Sequence, residues 1–292
     1  MPLIIPGVKE TAASVYAGIG TPAAAIRFPE VHGLDGAADH IRNDNPQYFH
    51  MGVNGEGEPI NIDLSETPHV ILNGGTGGGK SVMARAAVSQ ILHAGGVATV
   101  LDYKRFSHRW AYDLPRVAYA KTLPDIGDAL VSVGHELHRR TAIIEKYGED
   151  AFDNPKFEMP TLVVLAEEMN ATFSQIKELD KKVPAGQYGA IDAYRDILFL
   201  GRACRVHMIA TAQLATRQAL GGQEAVDNFG VKAMVNYSLS AWRWLVPDAG
   251  RYQPAPPQRG RGFLVSHNVA KETQFLFMTD EDARGLATSY IG

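Results

Sequence analysis

Residues 74–81 read Gly-Gly-Thr-Gly-Gly-Gly-Lys-Ser, which fits the spacing Gly-x-x-x-x-Gly-Lys-Ser/Thr. Glycines at this spacing let a loop adopt positive φ and bring backbone N–H groups close around an anion. A helix that starts near Lys80 points its positive end at the same place. Lys80 then reaches the β- and γ-phosphates of a nucleotide, and the Ser81 hydroxyl binds Mg²⁺. The predicted ATP-contacting set is Gly74, Gly75, Thr76, Gly77, Gly78, Gly79, Lys80, Ser81 and the adjoining Val82.

The flanks of the loop suit this reading. The short, mainly apolar run His69–Asn73 leads into the glycines as a strand. After them, Met83, Ala87, Val88, Ile91 and Leu92 fall on one helical face over residues 81–93. Further on, Val97–Leu101 reads as a second strand. Ile126, Leu130, Val133, Leu137 and Ile144 make a stripe that predicts a long amphipathic helix over 125–147. Leu162–Ala166 is fully apolar, as a central parallel strand is. A helix over Ala190–Cys204, a strand over Val206–Ala212, a β-hairpin within Gly260–Met278 and a short helix from Asp280 complete the pattern. Strand–helix alternation of this length predicts an α/β fold, a mostly parallel central sheet flanked by helices, with the hairpin at its C-terminal end.

Composition narrows the classes. With 292 residues, 45% of them hydrophobic and 21% charged, the chain is too apolar for intrinsic disorder and suits one large α/β domain or two small ones. Residues 1–48, rich in Gly, Ala and Pro, read as an irregular N-terminal arm or small accessory element before a domain over 49–292. The lone Cys204 excludes a disulfide framework and a multi-cysteine zinc site, and fits a reducing, cytoplasmic setting. No run approaches the ~20 apolar residues of a membrane helix, and MPLIIPGVKE lacks the pattern of a secretion signal. A net charge of −4 gives no global basic footprint, so any contact with DNA must be local.

Nucleotide hydrolysis also needs carboxylates. Glu167 and Glu168 stand just past the strand Leu162–Ala166, where residues of a parallel sheet line the ligand crevice. Glu167 is assigned to the metal's outer shell and Glu168 to polarising the attacking water. Gln213, at the end of Val206–Ala212, is placed to touch the γ-phosphate. His207 inside that strand reads as a packed core residue.

Several segments, in order, resemble the FtsK/SpoIIIE family of hexameric DNA-translocating ATPases. Gly57-Glu58-Pro59, Asp63-Leu64 and Pro68-His69 precede the phosphate loop. Leu101-Asp102-Tyr103-Lys104 is similar to the family's Asp-Pro-Lys, and Glu136-Leu137-His138-Arg139-Arg140 to its Glu-Met-Glu-Arg-Arg. Gly201–Gln213 resembles its Arg-Ala-x-x-x-His strand ending in Thr-x-Gln. The resemblance covers roughly residues 50–280 and implies a RecA-like P-loop NTPase motor domain over 49–292. It also implies a homo-oligomeric, hexameric ring around double-stranded DNA, with ATP and Mg²⁺ between neighbours and a basic finger supplied in trans. The family's Asn-Ile-Pro-Thr-Arg stretch corresponds to Asn228–Lys232, so Lys232 stands where Arg is expected and Arg202 is a rival.

Two loops are expected to face the pore. One, about 173–188, carries Lys177, Lys181 and Lys182; the other, about 214–227, carries Arg217. The chain shows neither the family's membrane helices nor its C-terminal winged helix. It is therefore expected to be a short form, similar to those of actinobacterial conjugative elements and phages. A membrane-associated partner that recruits the ring is left open. Three activities remain open: a DNA translocase, an ATP-binding ring scaffold with weak hydrolysis, and a P-loop transferase acting on a small phosphate acceptor.

Overall fold

A computed structural model of the chain describes residues 28–42, 44–213 and 215–290. The expected arm therefore lies outside the described residues up to position 27, and so does position 214 of the second expected loop.

One sheet organises the molecule. Its strands are β1 (His32–Gly33), β2 (Tyr48–Val53), β3 (Pro59–Asp63), β4 (His69–Gly74), β5 (Val97–Leu101), β6 (Val117–Ala120), β7 (Leu162–Ala166), β8 (Val206–Ala212), β9 (Val231–Val235), β10 (Arg261–Ser266) and β11 (Val269–Phe277). They lie in the order β3-β2-β11-β10-β9-β4-β8-β7-β5-β6, with β1 parallel on β11. From β9 to β6 all neighbours run parallel. From β9 across β10, β11 and β2 to β3 they run antiparallel.

The helices are α1 (Leu34–Ala37), α2 (Lys80–His93), α3 (Leu123–Tyr147), α4 (Met169–Asp180), α5 (Ala190–Leu200), α6 (Gln223–Asn228), α7 (Leu239–Leu245) and α8 (Asp280–Thr288). They cover both faces of the parallel region. In β7, Leu162, Val164 and Ala166 point into a core shared with α3, α4 and α5. Val163 and Leu165 point the other way, into a core shared with α2 and α8. Such double burial is why this strand has no polar alternation.

Local chemistry fixes the boundaries. Thr122 and Asp125 form a capping box at the start of α3. In the segment likened to Glu-Met-Glu-Arg-Arg, Arg140 is buried, pairs with Glu136 at 2.7 Å and donates to the Cys204 carbonyl at 2.9 Å. That motif ties α3 to the turn before β8. His267 and Asn268 both take left-handed φ, as a tight two-residue hairpin requires, and confirm the β10–β11 hairpin.

Three expectations change. The first half of the expected loop 173–188 is helix α4, which runs to Asp180, because Met169, Thr172, Phe173 and Ile176 form a buried stripe at helical spacing. Within 214–227 the chain forms a short 3₁₀ turn at Gln218–Leu220 and then enters α6. Helix α5 ends at Leu200 rather than Cys204; at Gly201 a side chain would collide with the Val206 carbonyl. Lys232, a candidate for the trans-acting basic finger, lies in the internal strand β9 opposite Ile71 and Val265. Among the described residues no helix is long and apolar enough to cross a membrane.

Candidate active site

The glycine loop joins β4 to α2 at the carboxyl edge of the parallel strands. A side chain at Gly74 would overlap the Val235 carbonyl, so the loop can leave β4 beside β9 only with glycine there. Gly79, at φ +103°, caps α2 in a backbone conformation that other residues rarely take. Lys80 folds back over the loop, and its Nζ donates to the Gly74 carbonyl at 2.6 Å and to that of Gly75 at 3.4 Å. Burial pushes the Lys80 ammonium below its ordinary value, against the opposing charges of Glu168 and Glu167. A cleft of about 610 Å³ flanks the loop, lined by Val31, Val82, Met83, Arg259, Gln274 and Phe277 among others.

Sheet order delivers the acids to this loop. Leu101 of β5 pairs with Ala166 of β7, and the Glu167 N–H donates to the Leu101 carbonyl at 3.0 Å. Glu167 is almost fully buried. Its Oε2 contacts His108 Nε2 at 2.9 Å and accepts from the Thr211 hydroxyl at 3.0 Å; its Oε1 accepts from Ser81 Oγ at 3.3 Å. Burial raises this carboxyl, but the hydrogen bonds from His108 and Thr211 and the charge of Lys104 outweigh it and hold the pKa at about 2.

Glu168 takes left-handed φ (51°), and its N–H donates to Thr211 Oγ1 at 2.8 Å. Non-glycine residues in this region store strain of order 1–3 kcal/mol and gather at functional sites. The strain turns the Glu168 carboxylate toward the loop end of β8, where Oε1 accepts from the Gln213 N–H at 3.3 Å. Its Oε2 is paired with Lys104 Nζ at 2.7 Å, and the same ammonium lies 3.4 Å from Glu167 Oε1.

The turn that presents Lys104 is held by Asp102. This buried carboxylate accepts from the Arg105 and His108 N–H groups, each at 3.1 Å, and from the Tyr119 hydroxyl at 2.6 Å. Ser81 and Glu167 offer hard hydroxyl and carboxylate oxygens side by side, a donor set that suits Mg²⁺ completed by phosphate oxygens.

The model of the FtsK/SpoIIIE family matches residues 37–228, more than half of the chain. The chain belongs to the FtsK/SpoIIIE family. Two curated relatives, each a DNA translocase FtsK from a Helicobacter pylori strain, are 26% identical over 59% of the chain. The chain spans only about a fifth of their length. Among solved structures it resembles the pCW3 conjugation coupling protein TcpA bound to ATPγS, at TM-score 0.71 and 17% identity, over 90% of this chain and 75% of that one. It also resembles ATPases 2 and 3 of Thermomonospora curvata EccC, at TM-score 0.66 and 16% identity, over 90% and 46%. At these identities the likeness is one of fold: a P-loop ATPase with a mostly parallel sheet and C-terminal antiparallel strands.

In this FtsK/SpoIIIE-family chain, the loop, Lys80, Ser81, Glu167, Glu168 and the Gln213 backbone converge. The other predicted residues lie elsewhere. Arg202 donates to the Ser65 carbonyl at 2.8 Å just before β8, and Lys232 sits near the start of β9. Both line one pocket of about 430 Å³ with Asp227 and His267, at the amino edge of the parallel strands. Burial lowers the Lys232 ammonium, against Asp227 and Asp248. Lys177 is on α4, Lys181 pairs with Glu178 at 2.7 Å, and Arg217 lies over the half-exposed Trp244 ring. His207 is buried and bonded to the Pro68 carbonyl, as a core residue. Sequence reasoning assigned no site role to Lys104, His108, Thr211 or Asp102. Lys104 and Asp102 were within reach, since both lie in the segment likened to Asp-Pro-Lys.

Proposed function

We propose that this FtsK/SpoIIIE-family chain is an ATP-driven translocase of double-stranded DNA that works as a ring of identical subunits, six by analogy with its family. The observation that carries the proposal is the contact of Glu167 with Ser81 at the end of the glycine loop, with Glu168 beside it and its charge acting on Lys80. A phosphate cradle facing two buried acids is arranged for hydrolysis rather than for binding a phosphate acceptor. That its curated relatives are DNA translocases supports the choice of substrate.

Catalysis here is positioning and charge neutralisation. The loop amides and the α2 N-terminus hold the β- and γ-phosphates, and Lys80 swings from the Gly74 carbonyl onto their oxygens. The cleft beside Val82 and Phe277 receives the nucleoside. Ser81, with Glu167 in the outer shell, would hold Mg²⁺, which would offset negative charge on the phosphates. Glu168 orients water and accepts its proton, and Gln213 touches the γ-phosphate so that its loss is felt at the end of β8. Lys232 or Arg202 of one subunit supplies the cation to a neighbour's nucleotide. Lys177, Lys181, Lys182 and Arg217 meet the DNA backbone, contacts that depend on salt and not on sequence. Plasmid, integrative-element or phage DNA is the proposed cargo.

A ring scaffold with weak hydrolysis is the second reading, favoured by the ion pair that engages Glu168. Phosphate release with and without linear duplex DNA, at two salt concentrations, separates the readings. A motor shows stimulation by DNA that falls with salt, and assembles into a ring with DNA and a non-hydrolysable ATP analogue. A scaffold assembles with little release. A transferase turns over only with an added acceptor and forms no ring.

A further inference from the structure

Among the described residues, Lys104 is the cation whose side chain pairs with the carboxylates of both acids of the site. Its ammonium is 2.7 Å from Glu168 and 3.4 Å from Glu167, and about a third of its side chain is open to solvent while Glu168 is 10% and Glu167 2% exposed. It closes the site from the solvent side. Lys80 does not share this task, because its ammonium is engaged by the carbonyls of its own loop. The base of Lys104 is fixed, since Asp102, two residues before it, accepts from the Arg105 and His108 N–H groups after it, and Arg105 takes left-handed φ. The long side chain is therefore a flexible arm on a fixed mount.

This geometry carries a consequence for the order of events. While Lys104 holds Oε2 of Glu168, that carboxylate has one oxygen neutralised and the other accepting from the Gln213 N–H. It is a poor acceptor for a water proton. A triphosphate in the adjacent cradle brings several negative charges within reach of the same arm. We infer that Lys104 is a positioning residue that senses the γ-phosphate: it holds Glu168 until a triphosphate is bound, then moves to the terminal phosphate and leaves Glu168 free to accept the water proton. The inference rests on the proposed ATPase activity and adds to it a means of telling ATP from ADP, since the diphosphate leaves Lys104 on Glu168.

The test compares binding of a non-hydrolysable ATP analogue and of ADP, together with steady-state phosphate release. Lys104→Met keeps the length of the arm and removes its charge. It is expected to weaken the ATP analogue about tenfold, the worth of one charge-assisted hydrogen bond, and to leave ADP within about twofold. Lys104→Arg restores most of the discrimination. In Glu168→Gln, Lys104 has less to leave behind, so the analogue binds a few-fold tighter, and adding Lys104→Met erases that gain. Equal weakening of both nucleotides, or none, overturns the inference and makes the pair merely structural. Should Lys104→Met not fold, Glu168→Gln alone decides, because an analogue bound no tighter than by the unaltered chain overturns it. If the unaltered chain binds no nucleotide or releases no phosphate, the ATPase reading itself falls. If it turns over and Lys104→Met changes nothing, only the role of Lys104 falls.

Discussion

The two edges of the parallel sheet hold charge in opposite ways. At the carboxyl edge, Glu167, Glu168, Lys80 and Asp102 are buried, and each is engaged within the chain. At the amino edge, Arg202 is exposed and, among the described residues, bonded only to the Ser65 carbonyl, and Lys232 lines a pocket. Buried charges survive only when paired and hydrogen-bonded, so the first edge is a site assembled from one chain. The second edge leaves its cations available to something outside it. The comparison teaches that binding and water activation should depend on a single subunit, whereas any finger should act only between subunits.

The carboxyl edge offers the largest effects. Lys80→Ala is expected to abolish turnover. Glu168→Gln is expected to lower the phosphate-release rate by about 10²–10⁴-fold, the usual worth of a general base, while nucleotide still binds. Normal turnover in Glu168→Gln would put the base elsewhere. Next comes Asp102→Ala, which strands the His108 N–H and the Tyr119 hydroxyl, while the Arg105 N–H keeps the backbone carbonyl of residue 102. Unsatisfied buried donors cost about 1–3 kcal/mol, so a loss on the order of 3 kcal/mol is expected in a urea titration. A change below the error of that titration would show the turn to be held by other contacts.

The amino edge should behave differently. Removing the true finger, by Arg202→Ala or Lys232→Ala, is expected to lower DNA-stimulated turnover about 30-fold with nucleotide binding unchanged. Mixing with Lys80→Ala subunits sharpens the contrast. A chain with an intact finger and a dead cradle should rescue one with the reverse defect, because each supplies what the other lacks. Failure of both substitutions to affect turnover would break the comparison at this edge.

How much of this could be read in the sequence depends on whether the signal is local. The strands β5, β7 and β8 were legible to the residue, because burial on both faces leaves mostly apolar runs, broken only by Thr99 in β5 and by His207 and Thr211 in β8. The glycine loop and the two acids were legible because loop chemistry and strand ends are local features. Strand β9 was not, since Lys232 interrupts its apolar run and the match to a finger motif drew attention to that residue alone. Helix α4 hid its stripe of Met169, Thr172, Phe173 and Ile176 among polar residues and lysines. The partners of Glu167 lie 59 residues before it, at His108, and 44 after it, at Thr211. Only the sheet order β5-β7-β8 brings them together, and no local pattern encodes that order.

The smallest effect concerns the lysines near the end of α4. Lys181 and Glu178 are both largely exposed, so their 2.7 Å pair differs from the buried pairs of the carboxyl edge. An exposed pair is worth about 0–1 kcal/mol, and a phosphate backbone competes for the lysine on nearly equal terms. Glu178→Gln removes the competitor and should tighten binding to duplex DNA by up to about fivefold at low salt. The gain should fade as salt rises, because both the pair and the phosphate contact are screened. Lys182→Ala should instead weaken binding and flatten the salt dependence by roughly 0.9 in log–log slope per lost contact. Fluorescence anisotropy across a salt series measures both. If Glu178→Gln has no effect at low salt while Lys182→Ala does, the DNA path runs past Lys182 and bypasses Lys181. If neither variant shifts the curve, this end of α4 does not face the DNA.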